Sequence, residues 1–375
     1  MSSKGAIVMK RFLILTILGV LLISANSCIE ANDIEDTSLL SDEYISSYND
    51  DVLTLSESMI NDELDYEMLI SFIENGGIVV YEHLGGENLI SEKMGMPLSV
   101  FPNASNESNK TIDVVTLYYT CGTIDGTHII SVNPETESDI DSLINETITS
   151  IKARQNEYDD SVVLTSLSPD DYEAVPLHIL ERTESDPPEG KLNVCYTLYS
   201  IENYSARDYY IIMVSCNGMP GCTLYKRYPT YDSKYQSEYL NFSISTDTPS
   251  VTVDAYGPHS SIESSSYTVD FSGSIDTDRV VGLSAGFSYT RNVESMTIDA
   301  TAISKSVDWE VNLGTEAEES NVLFEPAITF DCPTGKASIV FDVICTYGVN
   351  SWNTLTYDII SDYSIRCTIS SAEWY

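Results

Sequence analysis

From Lys191 to the C-terminus, short runs of alternating apolar and polar residues follow one another, separated by turn residues, and helical spacing disappears. The runs include "KLNVCYTLYSI", "RDYYIIMVSC", "YLNFSIS", "PSVTVDAYG", "VESMTIDA", "KSVDWEVNL", "FEPAITF", "ASIVFDVICTYG", "TLTYDII" and "DYSIRCTIS". Successive side chains of a strand point to opposite faces, so a period of two buries one face and wets the other. So many strands at such close spacing predict an all-β sandwich or barrel. The cleanest case is "SSYTVDFSGSIDTDRVVGLSAGFSYTR", Ser265 to Arg291. Tyr267, Val269, Phe271 and Ile275 form one apolar series, and Leu283, Ala285, Phe287 and Tyr289 form another after "DTDR". The two strands read as an antiparallel hairpin whose greasy face touches either a protein core or lipid.

The first half has a different rhythm. "DVLTLSES" reads as a strand, and "DYEMLISFIENGG" as a helix capped by Asp65 and stopped by Gly76, with Met68, Leu69, Phe72 and Ile73 facing inward. "IVVYEH" is a buried strand and "ENLISEKMGMP" a short helix. "DVVTLYYT", "THIISV" and "SVVLTSL" are further strands. A helix opening at Asn133 and Pro134 carries Ile140, Ile144, Ile148 and Ile151 at helical spacing. Alternating β and α segments predict a small α/β layer with some parallel pairing. "TESDPPEGK", Thr183 to Lys191, reads as a linker. The expected organisation is therefore an α+β chain of two domains: an α/β domain over 51–182, a linker over 183–191 and a β-sandwich over 192–375.

The N-terminus reads as an export signal over 1–27. Lys4, Lys10 and Arg11 precede an apolar run from Phe12 to Ala25. Its 14 residues fall short of the roughly 20 that a membrane-crossing helix needs. Ala25 and Ser27 suit cleavage before Cys28, which also makes Cys28 a lipidation candidate, although Ala25 stands where lipoprotein signals usually carry Leu. Residues 28–50 form an acidic, flexible segment. The expected address is extracytoplasmic, either secreted or anchored at the surface. Asn-x-Ser/Thr sequons at Asn103, Asn106, Asn109, Asn145, Asn203 and Asn241 are glycosylation candidates. Eight cysteines are compatible with disulfides in an oxidising compartment. Cys216 and Cys222 bracket the turn-like "NGMPG", and Cys332 and Cys345 flank a hairpin, which makes these four the disulfide candidates.

Catalytic signals are sparse. A net charge of -40 repels nucleic acid and anionic headgroups. No phosphate-binding loop follows a strand, and no Cys or His spacing suits zinc, so neither cofactor nor metal is expected. Asp276 and Asp278 at the hairpin tip read as a solvated turn. The nearest approach to a nucleophile is Cys121 in "YTCGT", with His128 seven residues on. "DVLTLSES" followed by "LISFIENGGIVVY" faintly resembles the class I glutamine amidotransferase-like fold. That superfamily's Gly-x-Cys-x-Gly elbow is replaced by Tyr119, Thr120, Gly122 and Thr123 around Cys121, so the expectation is a protein without catalysis. A Cys121/His128 hydrolase is the weakest alternative.

The order of features from Tyr235 to Tyr375 resembles the leukocidin/haemolysin family of β-barrel pore-forming toxins. "YLNFSIS", "VTVDAYGP", the alternating hairpin, "GFSYTRNVESM" and "SKSVDWEVNL" follow the family's succession through its stem to the Val-x-Trp strand, here Val307 and Trp309. "FEPAITF", with Phe324 and Pro326, resembles the Phe-x-Pro strand, and "IVFDVICTYG" and "DYSIRCTISSAEW" resemble the last two. "GTEAEESN" stands where the family carries a longer rim that holds lipid headgroups. The resemblance implies a sandwich cap, self-association into a ring, and a stem that crosses the membrane. Each stem strand has nine residues, Tyr267–Ile275 and Gly282–Thr290, against the roughly 9–11 that a barrel strand needs. The implied partners are other copies of the chain and membrane lipid. The alternative is a static module for adhesion or binding surface glycans.

Overall fold

Near the N-terminus one strand, one helix and a second strand build a parallel unit. β1 (Val52–Ser56) leads through a 3-10 turn (Glu57–Met59) to α1 (Tyr66–Glu74) and then β2 (Ile78–Glu82), which lies parallel to β1. α1 begins where the Asp65 carboxylate accepts from the Met68 amide at 3.0 Å, and it ends at Gly76, whose φ of 88° suits a residue without Cβ. Leu69 and Ile73 point inward and Phe72 packs beside them, but Met68 is 36% exposed rather than inward. The inward row follows the i, i+4 spacing of Leu69 and Ile73, and Met68 sits one step round the helix.

The computed structural model describes residues 51–60, 64–83, 90, 111–135, 139–157, 174–201, 207–225, 235–270, 288–313, 321–333, 338–352 and 359–374. All belong to one unit, Asn49–Tyr375. The expected export signal, Cys28, the acidic segment 28–50, the strand "SVVLTSL" and nearly all of the helix "ENLISEKMGMP" lie outside the described residues.

β3 (Ile112–Cys121) and β4 (Ile124–Val132) form an antiparallel hairpin, α2 (Ile140–Glu157) follows, and β5 (Ala174–Asp186) returns parallel to β4. β6 (Gly190–Ile201) and β7 (Arg207–Pro220) continue as an antiparallel meander, closed by the short α3 (Gly221–Leu224). The remaining strands are β8 (Tyr235–Ser245), β9 (Thr252–Gly257), β10 (Ser261–Asp270), β11 (Ser288–Ile303), β12 (Ser306–Leu313), β13 (Val322–Phe324), β14 (Ala327–Pro333), β15 (Ser338–Trp352) and β16 (Ile359–Trp374). They complete two sheets. The first runs β1-β2-β3-β4-β5-β6-β7-β14-β9, with β13 also on β7, and the second runs β10-β11-β12-β8-β15-β16.

The first sheet is covered differently along its width. Ile78, Val80, Leu117, Tyr119, Ile130 and Val132 pack with Leu143 and Ile151 of α2. Val79, Tyr81 and Tyr118 pack on the opposite face with Leu69 and Ile73 of α1. Tyr118 lies opposite Thr127, and Thr127 opposite Leu180, so the α1 face continues into β5. There the second sheet takes over as cover. Leu180, Leu192, Val194 and Tyr196 share one cluster with Phe242, Trp309, Phe341 and Tyr347. This is the sandwich expected from the strand pattern, and it uses one of its sheets twice.

Three sequence expectations are corrected. First, Thr183–Lys191 is no linker. Thr183, Glu184, Ser185 and Asp186 are buried, and the stretch pairs as the end of β5, a turn and the start of β6. The first sheet therefore runs through the expected boundary between the two domains. Its charges are accommodated, because Glu184 takes the Arg182 guanidinium and Asp186 takes the Asn133 amide. Second, Asn133 does not start a helix. α2 begins at Ile140, with the Asp139 carboxylate accepting from the Ser142 amide at 3.1 Å. Third, "NGMPG" is strand: Asn217, Gly218, Met219 and Pro220 all pair with β6. Gly218 is required there because a Cβ would come within 2.7 Å of the Tyr347 ring.

Candidate functional site

The hairpin that the sequence singles out sits at an edge. β10 is the terminal strand of the second sheet and pairs with β11 alone within that sheet. β11 changes its surroundings along its length. From Met296 to Ile303 it is laddered to β12, beginning at Met296 opposite Leu313. From Ser288 to Asn292 its partners are Asp270 to Ser266 of β10, and among the described residues no third strand joins them. Among the described residues the outer part of the hairpin is thus a two-stranded ribbon. Register shifts at Ser261/Ser264 and Ser264/Ser266 mark the passage from sheet to ribbon. Such bulges bend a strand and sharpen its twist.

Within the ribbon, Tyr267 lies opposite Arg291 and Val269 opposite Tyr289. Odd positions face odd positions, and Val269 with Tyr289 is the one described pair that joins the two apolar series of the sequence. Phe271, Ile275, Leu283, Ala285 and Phe287, with Asp276 and Asp278 at the tip, lie outside the described residues.

The base of the ribbon is anchored by aromatic packing. β12 alternates strictly, with Val307, Trp309 and Val311 buried and Asp308 and Glu310 exposed. Trp309 donates its indole N–H to the Pro258 carbonyl at 2.8 Å. Its ring packs against Phe242, Phe324 and Tyr256, with centroids 6.0–6.5 Å apart. The Trp and Phe positions of the two motifs therefore converge on one cluster, with Trp309 opposite Ala300 of β11.

Cys121 and His128 do not form a catalytic pair. The hairpin register places His128 opposite Leu117, four residues along β3 from Cys121, a separation of about 13 Å at the rise of a strand. The Cys121 thiol is buried, and burial pushes it up to about 11. A thiol in that state supplies almost no thiolate near neutral pH. Both His128 nitrogens are engaged elsewhere, Nδ1 at 3.2 Å from Glu181 and Nε2 at 2.8 Å from the Thr183 hydroxyl.

His128 instead belongs to a buried network that sequence reading missed. Glu181 accepts from Arg154 at 2.8 Å and from the Asn193 amide at 3.0 Å, while Arg154 also donates to the Tyr119 hydroxyl at 2.9 Å. Burial alone would raise the Glu181 carboxyl, but His128 and Arg154 outweigh it and hold the group well below the usual carboxylate range. On the other face of β5, Arg182 bonds Glu184 at 2.6 Å and Asp113 at 2.5 Å. Burial raises the Glu184 carboxyl above its usual range despite Arg182. Alternation of charge along "LERTESD" was the available signal, since odd and even residues of one strand serve opposite faces. A polar cleft of about 570 Å³ lies beside this region, lined by Asp51, Glu74, Thr120, Lys152 and Gln155 among others. Lys152 and Asp51 already pair across it at 3.1 Å, and Gln155 bonds the Thr120 carbonyl.

Of the sequons, Asn145 is exposed on α2 and Asn241 is exposed on β8, neither in a loop. Asn103, Asn106, Asn109 and Asn203 lie outside the described residues. The expected cysteine pairs are not brought together. Cys332 lies opposite Asp208, eight residues along β7 from Cys216, or about 26 Å, and Cys345 abuts Cys216. A Cys332–Cys345 bond is therefore out of reach of disulfide geometry. Cys216 and Cys222 do not bracket a loop, because β7 runs straight on from Cys216 to Pro220.

No protein-family model matches the chain, and no curated protein matches it. Solved structures similar to it include one titled a pore-forming protein (TM-score 0.32, 10% identity), covering 54% of this chain and 91% of its own. The Clostridium perfringens delta-toxin gives TM-score 0.34 and 10% identity over 54% of this chain and 89% of its own. The Clostridium perfringens NetB toxin in its membrane-inserted form gives 0.29 and 8% over 52% and 97%. Superposition at this level carries no argument about activity, and nothing in it shows the amidotransferase-like likeness of the first half.

Proposed function

We propose that this chain is an exported, non-catalytic protein that self-associates on a membrane and inserts the β10–β11 hairpin into the bilayer. The observation that carries this reading is the ribbon itself: Ser266–Asp270 and Ser288–Asn292 pair with each other and, among the described residues, with no third strand. A strand pair in the middle of a sheet would have to break ladders on both sides to leave. Among the described residues, the outer part of this one has no such ladder to break.

The physics of hydrocarbon then dictates the partner. A lone hairpin has two open edges, and each unsatisfied backbone group in lipid costs several kcal/mol. Insertion therefore requires the hairpins of several copies to close into a barrel, with lumen and lipid faces alternating along each strand. The apolar series of the sequence supplies the lipid side, and the Ser, Thr, Gly and Asp series the lumen. The charge of -40 disfavours anionic surfaces.

The test is dye release from phosphatidylcholine vesicles, with and without anionic lipid. Wild-type chain is expected to release dye, more from the neutral vesicles, and a double variant Phe271→Asp/Phe287→Asp is expected to fold with an unchanged midpoint and release none. If no vesicle leaks and detergent yields no ring-sized species, the reading is wrong, and a static surface module for adhesion or glycan binding takes its place.

A further inference from the structure

Three cysteines meet where the two sheets of the sandwich touch. Cys216 is on β7 of the first sheet, opposite Val194 and Phe324, and Cys345 is on β15 of the second, opposite Phe242. Their sulfurs are 3.1 Å apart and fully buried. Cys367 of β16 lies directly opposite Cys345 in the ladder and is buried in the same cluster. The two nearest sulfurs are 129 residues apart in sequence, so only the closed sandwich brings them together.

We infer that Cys216 and Cys345 form a disulfide that ties the two sheets to each other. Closing the present gap of 3.1 Å to the roughly 2.05 Å of an S–S bond takes a movement of about 1 Å. Both thiols give up their protons, and the pair gives up two electrons to an external disulfide such as oxidised glutathione, which leaves as two thiols. The exchange proceeds through a mixed disulfide, so a thiolate and an access path are both needed. The finished sandwich gives no access path, because both sulfurs are fully buried. Burial, and then the bond to Cys216, push the Cys345 thiol well above its ordinary value, and burial does the same to Cys367. Oxidation therefore belongs to the folding chain, while the sheets are still apart, and the closed sandwich then shields the bond from reductant. The tie pins the body of the molecule and leaves β10 and β11 untouched, and it stands whether or not the hairpin enters a bilayer.

The experiment is refolding of the full chain from denaturant in a glutathione redox buffer. Free thiols are then blocked in denaturant without reductant, and the digest is mapped by mass spectrometry. The expected product is a peptide pair joined through Cys216 and Cys345, two hydrogens lighter than its separate halves, with Cys367 carrying the blocking group. Cys345→Ser is expected to leave Cys216 blocked rather than joined to a new partner. Adding oxidised glutathione only after folding under reducing conditions is expected to slow linkage at least tenfold. The inference is overturned if Cys216 and Cys345 both carry the blocking group after oxidative refolding, or if Cys345 is joined to Cys367 or Cys216 to Cys222. Linkage at equal rates before and after folding would overturn the order of events.

Discussion

The two halves of β11 carry the same kind of alternating sequence and meet different neighbours. From Met296 to Ile303 the strand is laddered to β12, with β10 on its other side at Met296 and Ile298, and these two residues are buried in the sandwich core. From Ser288 to Asn292 it is joined to β10 and, among the described residues, to nothing else. Alternation therefore states that one face of a strand avoids water, and the number of neighbouring strands decides what covers that face. Over the inner half of β11 the pattern is satisfied in the core, and over the outer half the described residues supply β10 as the neighbouring strand. That contrast between a committed body and an uncommitted ribbon is the basis of the functional proposal, and it can be attacked from either side.

The hardest blow to the body is Trp309→Ala. The indole is 1% exposed, its N–H is bonded to the Pro258 carbonyl, and Phe242, Phe324 and Tyr256 surround it. Truncating a core aromatic of this kind costs about 3–5 kcal/mol. The urea midpoint of the full chain should fall accordingly. A loss below about 1 kcal/mol would mean that β12 does not hold the base of the ribbon.

A second test separates body from ribbon by pH. Burial lowers His178 to about 4, and the residue is 3% exposed on β5. Its unfolded value is about 6.5, so between these limits the unfolded chain binds the extra proton. Stability is then intact above about pH 6.5 and declines as pH falls toward about 4, by about 3 kcal/mol in all. Glu181, held low by His128 and Arg154 against burial, adds a further loss only below about pH 4.3, its unfolded value. His178→Gln should flatten the decline between pH 6.5 and 4.5 in thermal melts monitored at fixed ionic strength. No histidine occurs between Ser260 and Arg291, so an acid transition in that window reports the body. An unchanged slope in the variant would sink the assignment.

What the sequence made legible is what local chemistry determines. Asp65 and Gly76 bound α1 as a cap and a residue without Cβ should, and β12 follows the period of two. The misses are all long-range. "TESD" reads as linker because its charges look unburiable, and only Arg182 and Asn133, brought by the fold, make them tolerable. "NGMPG" reads as a turn because nothing nearby reveals the Tyr347 ring that requires Gly218 to lack a side chain. The cysteines were paired by nearness in sequence, whereas the close sulfurs belong to different sheets. At the candidate site, the hairpin itself was visible from alternation, but its position at an edge was not. Edge or centre depends on which distant strand, here β12, arrives beside it and where that strand ends.

The finest test compares two proline substitutions within β11. The Ala300 amide donates to the Ser260 hydroxyl at 2.8 Å, so it points away from β12. Amides alternate along an antiparallel ladder, so the neighbouring Asp299 amide points toward Glu310 of β12. Asp299 is exposed, and its replacement disturbs little packing. Asp299→Pro removes a ladder bond inside the sheet and leaves an acceptor without a donor, at a cost of about 1–3 kcal/mol. Thr290→Pro acts where, among the described residues, the strand has β10 as its one neighbour. On the reading of an independent ribbon, the global unfolding energy should change by less than about 0.5 kcal/mol. The expected signature is a clear drop in urea midpoint for Asp299→Pro and none for Thr290→Pro, whose effect should surface as faster amide exchange across Ser266–Asp270. Equal midpoint losses in the two variants would show that the outer hairpin folds and unfolds with the body, and the ribbon would then have no independence to exploit at a membrane.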